Sequence, residues 1–458
     1  MHDLKGWVYE KLGDLPILFI DSDRSKRYPK RSEFQDQGIA FLNAESISSG
    51  RFDRTKVNHI PYEKYEEIKK GRVENGDIVL TMRGNGVGDA ALIFGEGILG
   101  LINAQMLILR PNDETINSKF LYYGFISPQF KCELSNFVSG SAQPQLTMTH
   151  LRHVPFRVPP LAEQKAIAHI LGSLDDKIEL NRQMNETLEA MAQTLFKSWF
   201  VDFDPVIDNA LAACNAIPDE FSKRAEQRKA IEKKDNSDIQ GLFPDEFEFT
   251  EEMGWIPKGW GVKSLDEVAD YLNGLALQKY RPEDIDDNYL PIVKIAQLRE
   301  GLPNHDEKAS INIKPEYIID NGDVIFSWSG SLLVDVWCGG KAALNQHLFK
   351  VTSDKYPKWF YLNYTKHHLV EFQRIATDKA VTMGHIKRGH LKEALCVIPE
   401  NGVDDNTFAV FEGILNKQIR LRIESQTLAK LRDTLLPKLM SGELRIPDAA
   451  ELVGEAII

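Results

Sequence analysis

PPLAEQKAIAHILGSLDDKIELNRQMNETLEAMAQTLFKSWFVDF, from Pro159 to Phe203, contains no proline after its opening pair and one glycine, Gly172. Apolar residues recur at three- and four-residue steps, at Ile167, Leu171, Leu174, Ile178, Leu188, Leu195 and Trp199, which marks one face of a helix. Asn181 and Asn185 continue that stripe. A polar residue on a coiled-coil seam costs stability and fixes register and partner choice. About 40 helical residues span about 60 Å, far beyond the usual globular helix. The stretch therefore reads as a strut between two bodies; the alternative is one long helix of a large α domain.

The 458 residues leave room for roughly two to four domains, and 43% hydrophobic with 27% charged residues is an ordinary globular composition. No apolar run approaches the ~18 residues of a membrane span and no signal peptide opens the chain, so a cytoplasmic protein with no membrane partner is expected. Cys132, Cys214, Cys338 and Cys396 are scattered without a CxxC pair, which argues against zinc and disulfide frameworks. The net charge of −12 is unevenly distributed. Residues 1–155 are net zero and residues 257–400 net −1, so the acid lies on the helices and linker, and the two large blocks carry no overall field against a phosphate backbone.

Residues 1–155 read as short strands and turns. Gly38–Leu42, Asp77–Met82 and Met106–Leu109 are apolar and β-prone, and Asn75-Gly76, Gly84-Asn85-Gly86 and Gly95-Glu96-Gly97 punctuate them. A helix is expected over Ser118–Ile126 with Ser118 as its cap, and another around Glu220–Lys234 within a polar linker. The pattern then repeats. Lys5-Gly6-Trp7 matches Lys258-Gly259-Trp260, Gly76-Asp77-Ile78-Val79 matches Gly322-Asp323-Val324-Ile325, and Asn103-Ala104-Gln105 resembles Asn345-Gln346-His347. Lys119-Phe120-Leu121-Tyr122 resembles Lys358-Trp359-Phe360-Tyr361, His150-Leu151 matches His390-Leu391, and Thr187-Leu188 matches Thr427-Leu428. Six matches in colinear order indicate a two-fold internal repeat, each unit a β-rich domain followed by a long helix. The second helix, roughly Asn406–Met440, carries the stripe Val410, Ile414, Leu421, Leu428, Leu431, Leu435. Two exposed stripes should pair, and the residues alone leave parallel and antiparallel pairing open.

Catalytic signatures are missing. The chain contains no GxxxxGK[ST], GxSxG or HExxH. The Gly84-Asn85-Gly86-Val87-Gly88 cluster reads as a hairpin turn in preference to a phosphate cradle. His367-His368 reads as helix surface, and Asp175-Asp176 as a solvated or partner-facing surface of the first long helix.

Pro159-Pro160-Leu161-Ala162-Glu163-Gln164, with Ile167, Ile170-Leu171 and Leu174-Asp175-Asp176-Lys177-Ile178, resembles the central conserved region of the specificity (S) subunit of type I restriction–modification enzymes. Gly254-Trp255-Ile256-Pro257-Lys258-Gly259-Trp260 resembles the entry to that family's second target-recognition domain. Gly76-Asp77-Ile78-Val79-Leu80 and Gly140-Ser141-Ala142-Gln143-Pro144-Gln145-Leu146 resemble segments inside its recognition domains, and Leu435–Leu444 is similar to its C-terminal region. The likeness covers nearly the whole chain, but Pro399-Glu400-Asn401-Gly402 lacks the Glu-Gln pair in the second copy. It implies an α+β fold of two β-rich target-recognition domains in pseudo-two-fold repeat, separated by two long antiparallel coiled-coil helices. The expected organisation is a first recognition domain (1–157), a central helix (158–206), a helical, charged linker (207–256), a second recognition domain (257–400) and a C-terminal helix and tail (401–458).

The resemblance further implies a non-catalytic subunit whose domains each read one half of an interrupted double-stranded DNA target. Its helices would bind two methyltransferase subunits, through which restriction subunits join. S-adenosylmethionine, ATP and Mg would then belong to those partners, with no cofactor on this chain. Residue by residue, Arg24, Lys26, Arg27, Lys30 and Arg31 cluster around Tyr28, suited to phosphates or equally to a solvated loop. Gln143 and Gln145 offer bidentate bonds to an adenine edge, and Arg83 a contact to guanine or phosphate. Lys279, Arg281, Lys379, Lys387 and Arg388 lie at broadly corresponding places in the second domain. Two other readings stand beside this one. A self-sufficient methyltransferase or nuclease would transfer label unaided, yet no Asn-Pro-Pro-Tyr/Phe segment is present. A coiled-coil scaffold binding only protein would not shift duplex DNA with its partner present.

A strut makes a measurable prediction. Seven residues added to each helix, between Asn185 and Leu188 and at the facing position, move the readers apart by about 10 Å, roughly three base pairs. Mapping of methylated sites in cells carrying the lengthened subunit should return a longer gap between unchanged half-sequences. Affinity should be lower, because the added helix falls about 20° short of two turns while the DNA turns by about a third. Altered half-sequences with an unchanged gap would mean that the helices read the DNA.

Overall fold

The computed structural model describes residues 6–48, 50–84, 86–95, 99–140, 144–231, 237–284, 288–378, 384–399, 402–403 and 408–457. It divides into two compact units, Met1–Glu179 with Gln426–Ile458, and Leu180–Ser425. Both divisions fall inside the long helices, Leu161–Phe200 and Ala409–Ser441, so each unit holds one β-rich domain and a part of both helices.

In the first unit a four-stranded antiparallel sheet runs in the order Ile17–Asp21, Met106–Pro111, Ile78–Thr81, Ala90–Leu92. The central strand Ile78–Thr81 is apolar on both faces because both faces are covered. Ile78 and Leu80 join a core with the helix Ser118–Ile126 and the first long helix, while Val79 joins a smaller core with Leu42, Val73 and Ile102 on the other side. That alternation is the two-residue period of a strand. A second, three-stranded sheet contains a parallel pair, Ile39–Leu42 beside Gly100–Ile102.

The second unit repeats this plan. Its main sheet runs Asp270–Asn273, Leu348–Thr352, Val324–Ser327, Leu333–Val336, again antiparallel. Its second sheet, here of four strands, again has one parallel pair, Tyr289–Val293 with Ala342–Leu344. The short ribbon of Val8–Lys11 with Pro155–Val158 returns as Gly261–Ser264 with Leu395–Ile398. The colinear sequence matches therefore mark a real repeat of topology.

The helices pair antiparallel within each unit. In the first, Ile167, Leu171, Leu174 and Ile178 pack with Leu428, Leu435, Leu436 and Leu439. In the second, Phe196, Trp199 and Phe200 pack with Phe408, Phe411 and Leu415. Rising numbers on one helix meet falling numbers on the other. Polar pairs keep the same register: Arg432 Nη1 donates to Asp175 Oδ1 at 2.6 Å, and Gln418 Nε2 to Glu189 Oε2 at 3.0 Å.

Several sequence expectations change. Val410 is 44% exposed and off the seam; Phe408 and Phe411 fill the place assigned to it. Asp175 is not a solvent-facing acid: it accepts from Arg432 and, at 2.7 Å, from the Tyr123 hydroxyl. Burial and the Asp175 charge push that phenol far above its ordinary pKa. His368 is half-buried, its Nε2 3.1 Å from the Leu395 carbonyl, and burial beside His367 pushes its pKa down to about 4. The helix Ser118–Ile126 is capped by Asn117, whose side chain accepts from the Phe120 N–H, whereas the Ser118 hydroxyl donates to Asp113. The polar stretch after the first long helix folds as Asp204–Ala213 and Ser222–Lys229, clamped by Arg224 on Asp204 at 2.7 Å and Arg228 on Asp208 at 3.1 Å. Burial works to raise the Asp204 carboxyl, but hydrogen bonds from Arg224 and Ser198 outweigh it and hold the pKa low.

The Pro-Pro-Leu-Ala-Glu-Gln segment is a clasp. Glu163 Oε2 accepts from Trp7 Nε1 at 3.0 Å. Gln164, 1% exposed, accepts from the Asn117 N–H at 2.9 Å and donates to the Pro159 and Thr115 carbonyls. It thus ties the long helix to the start of the helix that follows Asn117. The matching Trp260 is held instead by rings, with Phe200, Phe203 and Phe243 centred 5.9–6.0 Å away. Gln164→Leu removes the partner of the buried Pro159 carbonyl and of the half-buried Asn117 N–H and should cost about 1–3 kcal/mol, read as an earlier denaturant midpoint. Glu163→Gln keeps an acceptor for Trp7 and should lie close to the parent.

Candidate nucleic-acid interface

In each main sheet, four chain segments emerge at one end. The registers Asp21↔Leu107, Met106↔Thr81 and Leu80↔Ala90 put the loops after Asp21 and Thr81 and before Met106 and Ala90 together. In the second unit Asn273↔Phe349, Ser327↔Leu348 and Ser327↔Leu333 do the same. These loop ends are where chemistry-bearing side chains converge.

The first cluster is cross-tied through the backbone. Met82 N–H donates to the Gln105 carbonyl at 2.7 Å, Leu146 N–H to Met82 at 2.9 Å and Gly84 N–H to Pro144 at 3.1 Å, so that Arg83 forms a β-bridge with Gln145. Gly84 sits at φ +95°, a conformation that favours glycine at this hairpin corner. The basic loop abuts the same place. Ala104 N–H donates to the Tyr28 hydroxyl at 3.0 Å, and the Tyr28 ring meets Phe41 edge-on. Lys26, Lys30 and Arg31 are exposed. Arg24 leans on Asp21 at 3.1 Å and Arg27 on Asp23 at 4.0 Å. Hydrogen bonds from Ser25, aided by Arg27, hold the Asp23 carboxyl low. Thus Arg83, Gln145 and the Arg24–Arg31 group, spread over 121 positions of sequence, share one end of one sheet. Gln143 lies outside the described residues.

The second cluster repeats two of these ties and the β-bridge and adds one of its own, from Gln346. Ile386 N–H donates to Trp328 at 3.0 Å, Gly330 N–H to Gly384 at 2.8 Å and Gln346 N–H to Leu275 at 2.9 Å, and Ser329 bridges His385. Lys279 and Arg281 are exposed just beyond Leu275. Lys387 is exposed and precedes the helix Arg388–Glu393. Arg388 is exposed as well, with its Nη2 donating to the Tyr271 carbonyl at 3.0 Å and its guanidinium 5.6 Å from the Phe349 ring. Lys379 lies outside the described residues. Trp328, Ser329, His347 and His385 were not singled out from sequence. The signal was present in Asn345-Gln346-His347, where the Asn345 side chain accepts from the His347 N–H as Asn103 does from Gln105.

Exposed cations beside amide, hydroxyl, imidazole and indole groups can contact phosphates and base edges. Among the described residues no group of three or more His, Cys, Asp or Glu could hold a metal, and no helix is long and apolar enough to cross a membrane.

The family model described as "Type I restriction modification DNA specificity domain" matches residues 5–190 and again 257–424. The HindI specificity subunit of Haemophilus influenzae is 24% identical over 96% of this chain and all of its own length. The MjaIX specificity subunit of Methanocaldococcus jannaschii is 26% identical over 97% of this chain and 95% of its own. The crystal structure of the type I S subunit from M. genitalium aligns over 96% of this chain and 97% of its own at a TM-score of 0.52 and 13% identity, a likeness of fold.

Proposed function

The chain belongs to the type I restriction–modification DNA specificity family, and we propose that it reads an interrupted duplex target, one half-sequence per domain, for a complex whose other subunits do the chemistry. Members of this family are non-catalytic specificity subunits that work with methyltransferase and restriction subunits. The observation that carries the reading is the loop cluster built twice on one backbone frame with different side chains, Arg83 and Gln145 in one and Ser329 and His385 in the other. A shared frame with changed side chains suits two readers of two sequences. Reader domains 1–157 and 257–400 would then present Arg24, Lys26, Arg27, Lys30, Arg31, Lys279, Arg281, Lys379, Lys387 and Arg388 to phosphates. Arg83, Gln143 and Gln145 would face base edges.

The long helices would dock two methyltransferase subunits. In support, Leu180, Met184 and Met191 are 51%, 38% and 48% exposed on the first long helix, an apolar line at helical spacing outside the buried seam. S-adenosylmethionine, ATP and Mg would be held by the partners.

The purified chain should transfer no methyl group and hydrolyse no nucleotide, whereas addition of its methyltransferase subunits should produce adenine methylation; methylation by the chain alone would overturn this reading. In the assembled complex, replacing Lys26, Lys30 and Arg31 by Ala should weaken binding alike on all sequences. The slope of log K against log salt should then become shallower by about 0.9 for each phosphate that is no longer neutralised.

A further inference from the structure

Resting on the DNA-reading function proposed above, the second unit permits a more specific statement about what it reads. Backbone ties align Met82, Arg83 and Gln145 with Trp328, Ser329 and His385, and the Asn103 and Asn345 side chains, accepting from the N–H groups of Gln105 and His347, align those two. The matched positions differ in chemistry. The first cluster offers a guanidinium and two amides, groups that pair bidentately with purine edges. The second offers no Arg or Lys at these four positions. Two exposed cations, Lys387 and Arg388, stand at the start of the next helix, Arg388 with one bond to the Tyr271 carbonyl.

What the second cluster offers is a fixed apolar surface with polar edges. Trp328 Nε1 donates to Asn273 Oδ1 at 3.0 Å, which sets the indole plane. The ring packs on Phe349 at 5.8 Å and on His347 at 6.0 Å, with His385 edge-on at 6.4 Å. His347 is itself held, with Nδ1 3.1 Å from Ser329 Oγ and Nε2 3.3 Å from the Gln346 amide nitrogen. Trp328 and His347 are half-exposed and His385 is exposed. Most of the indole's polarity is therefore spent on Asn273, and its outward contribution is apolar. In the major groove the apolar feature of a base pair is the thymine C5 methyl.

We propose that Trp328, with His347 and His385 around it, is the base-reading group of the second domain, and that it selects an A·T pair by packing on the thymine methyl. Lys279, Arg281 and Lys387 then hold the phosphates on either side.

The test uses the full chain assembled with its methyltransferase subunits. Its two half-sequences are first mapped by methylation, and duplexes are then made in which each thymine is replaced in turn by deoxyuridine, which lacks only the methyl. One replacement in the half-sequence read by the second domain should weaken binding about fourfold, the factor corresponding to one buried CH2 group. In Trp328→Ala that sensitivity should vanish, while deoxyuridine effects in the other half-sequence persist. Trp328→Phe, which keeps a ring in the core, should retain part of it, and His385→Gln should change the base preference in the same half-sequence only. An unaltered first half-sequence in each variant reports intact folding. A deoxyuridine response that survives in Trp328→Ala, or its absence from every thymine of that half-sequence in the parent, would overturn the proposal. A parent complex that binds all duplexes equally would instead overturn the DNA-reading function itself.

Discussion

Neither long helix can bury its own apolar stripe. An isolated amphipathic helix leaves that face in water, and here each stripe is covered by the other helix together with a β-rich domain. The pairing is antiparallel, so the first stretch of one helix meets the last stretch of the other. As a consequence the C-terminal end of the chain completes the first unit. Leu428, Leu435, Leu436 and Leu439 lie in the core of that unit, as do Ala449 and Val453 from the final helix, Ile446–Ile457. A truncation near the C-terminus would thus open the core of the N-terminal domain, which a linear reading of the domains does not anticipate.

Charge follows the same logic. The acid concentrated on the helices is partly structural: Asp175 is held by Arg432 and Tyr123, and Glu189 by Lys366 and Gln418. Buried or half-buried pairs of this kind are costly to break on one side, and they fix which residues face each other along the seam. Burial works against the Glu189 carboxylate, yet Lys366 and the amides of Gln418 and Gln193 keep its pKa low. At the loop ends of the sheets, by contrast, Lys26, Lys30, Arg31, Lys279 and Arg281 are exposed.

The two domains share a backbone frame more closely than they share residues. The bonds that set the reading loops join main-chain atoms or use the repeated Asn103 and Asn345 side chains, so the side chains at Arg83, Gln105 and Gln145 can become Ser329, His347 and His385 on the same frame. Even the clasp at the helix entry is exchanged, Trp7 being tied by Glu163 and Trp260 by packed rings. A fold held by main-chain bonds and buried apolar runs leaves its loop ends open to substitution.

The sequence alone was sufficient for whatever repeats at short range or along the chain. The 3.6-residue period marked the two helices, the apolar runs marked the central strands, and colinear matches marked the duplication; the family resemblance supplied the antiparallel pairing that the residues left open. The tertiary structure decided what depends on a partner distant in sequence. Asp175 looked like a surface acid until Arg432, 257 positions away, was placed beside it. Val410 fits the helical period but points outward, because Phe408 and Phe411 meet the rings of the other helix first. Asn117 outcompetes Ser118 as a cap because Asp113 occupies the Ser118 hydroxyl. The equivalence of Gln145 with His385 rests on bonds from residues far back in each chain segment. A local window contains the period of an element but not the identity of the surface it will meet, and the reading loops are defined by such meetings.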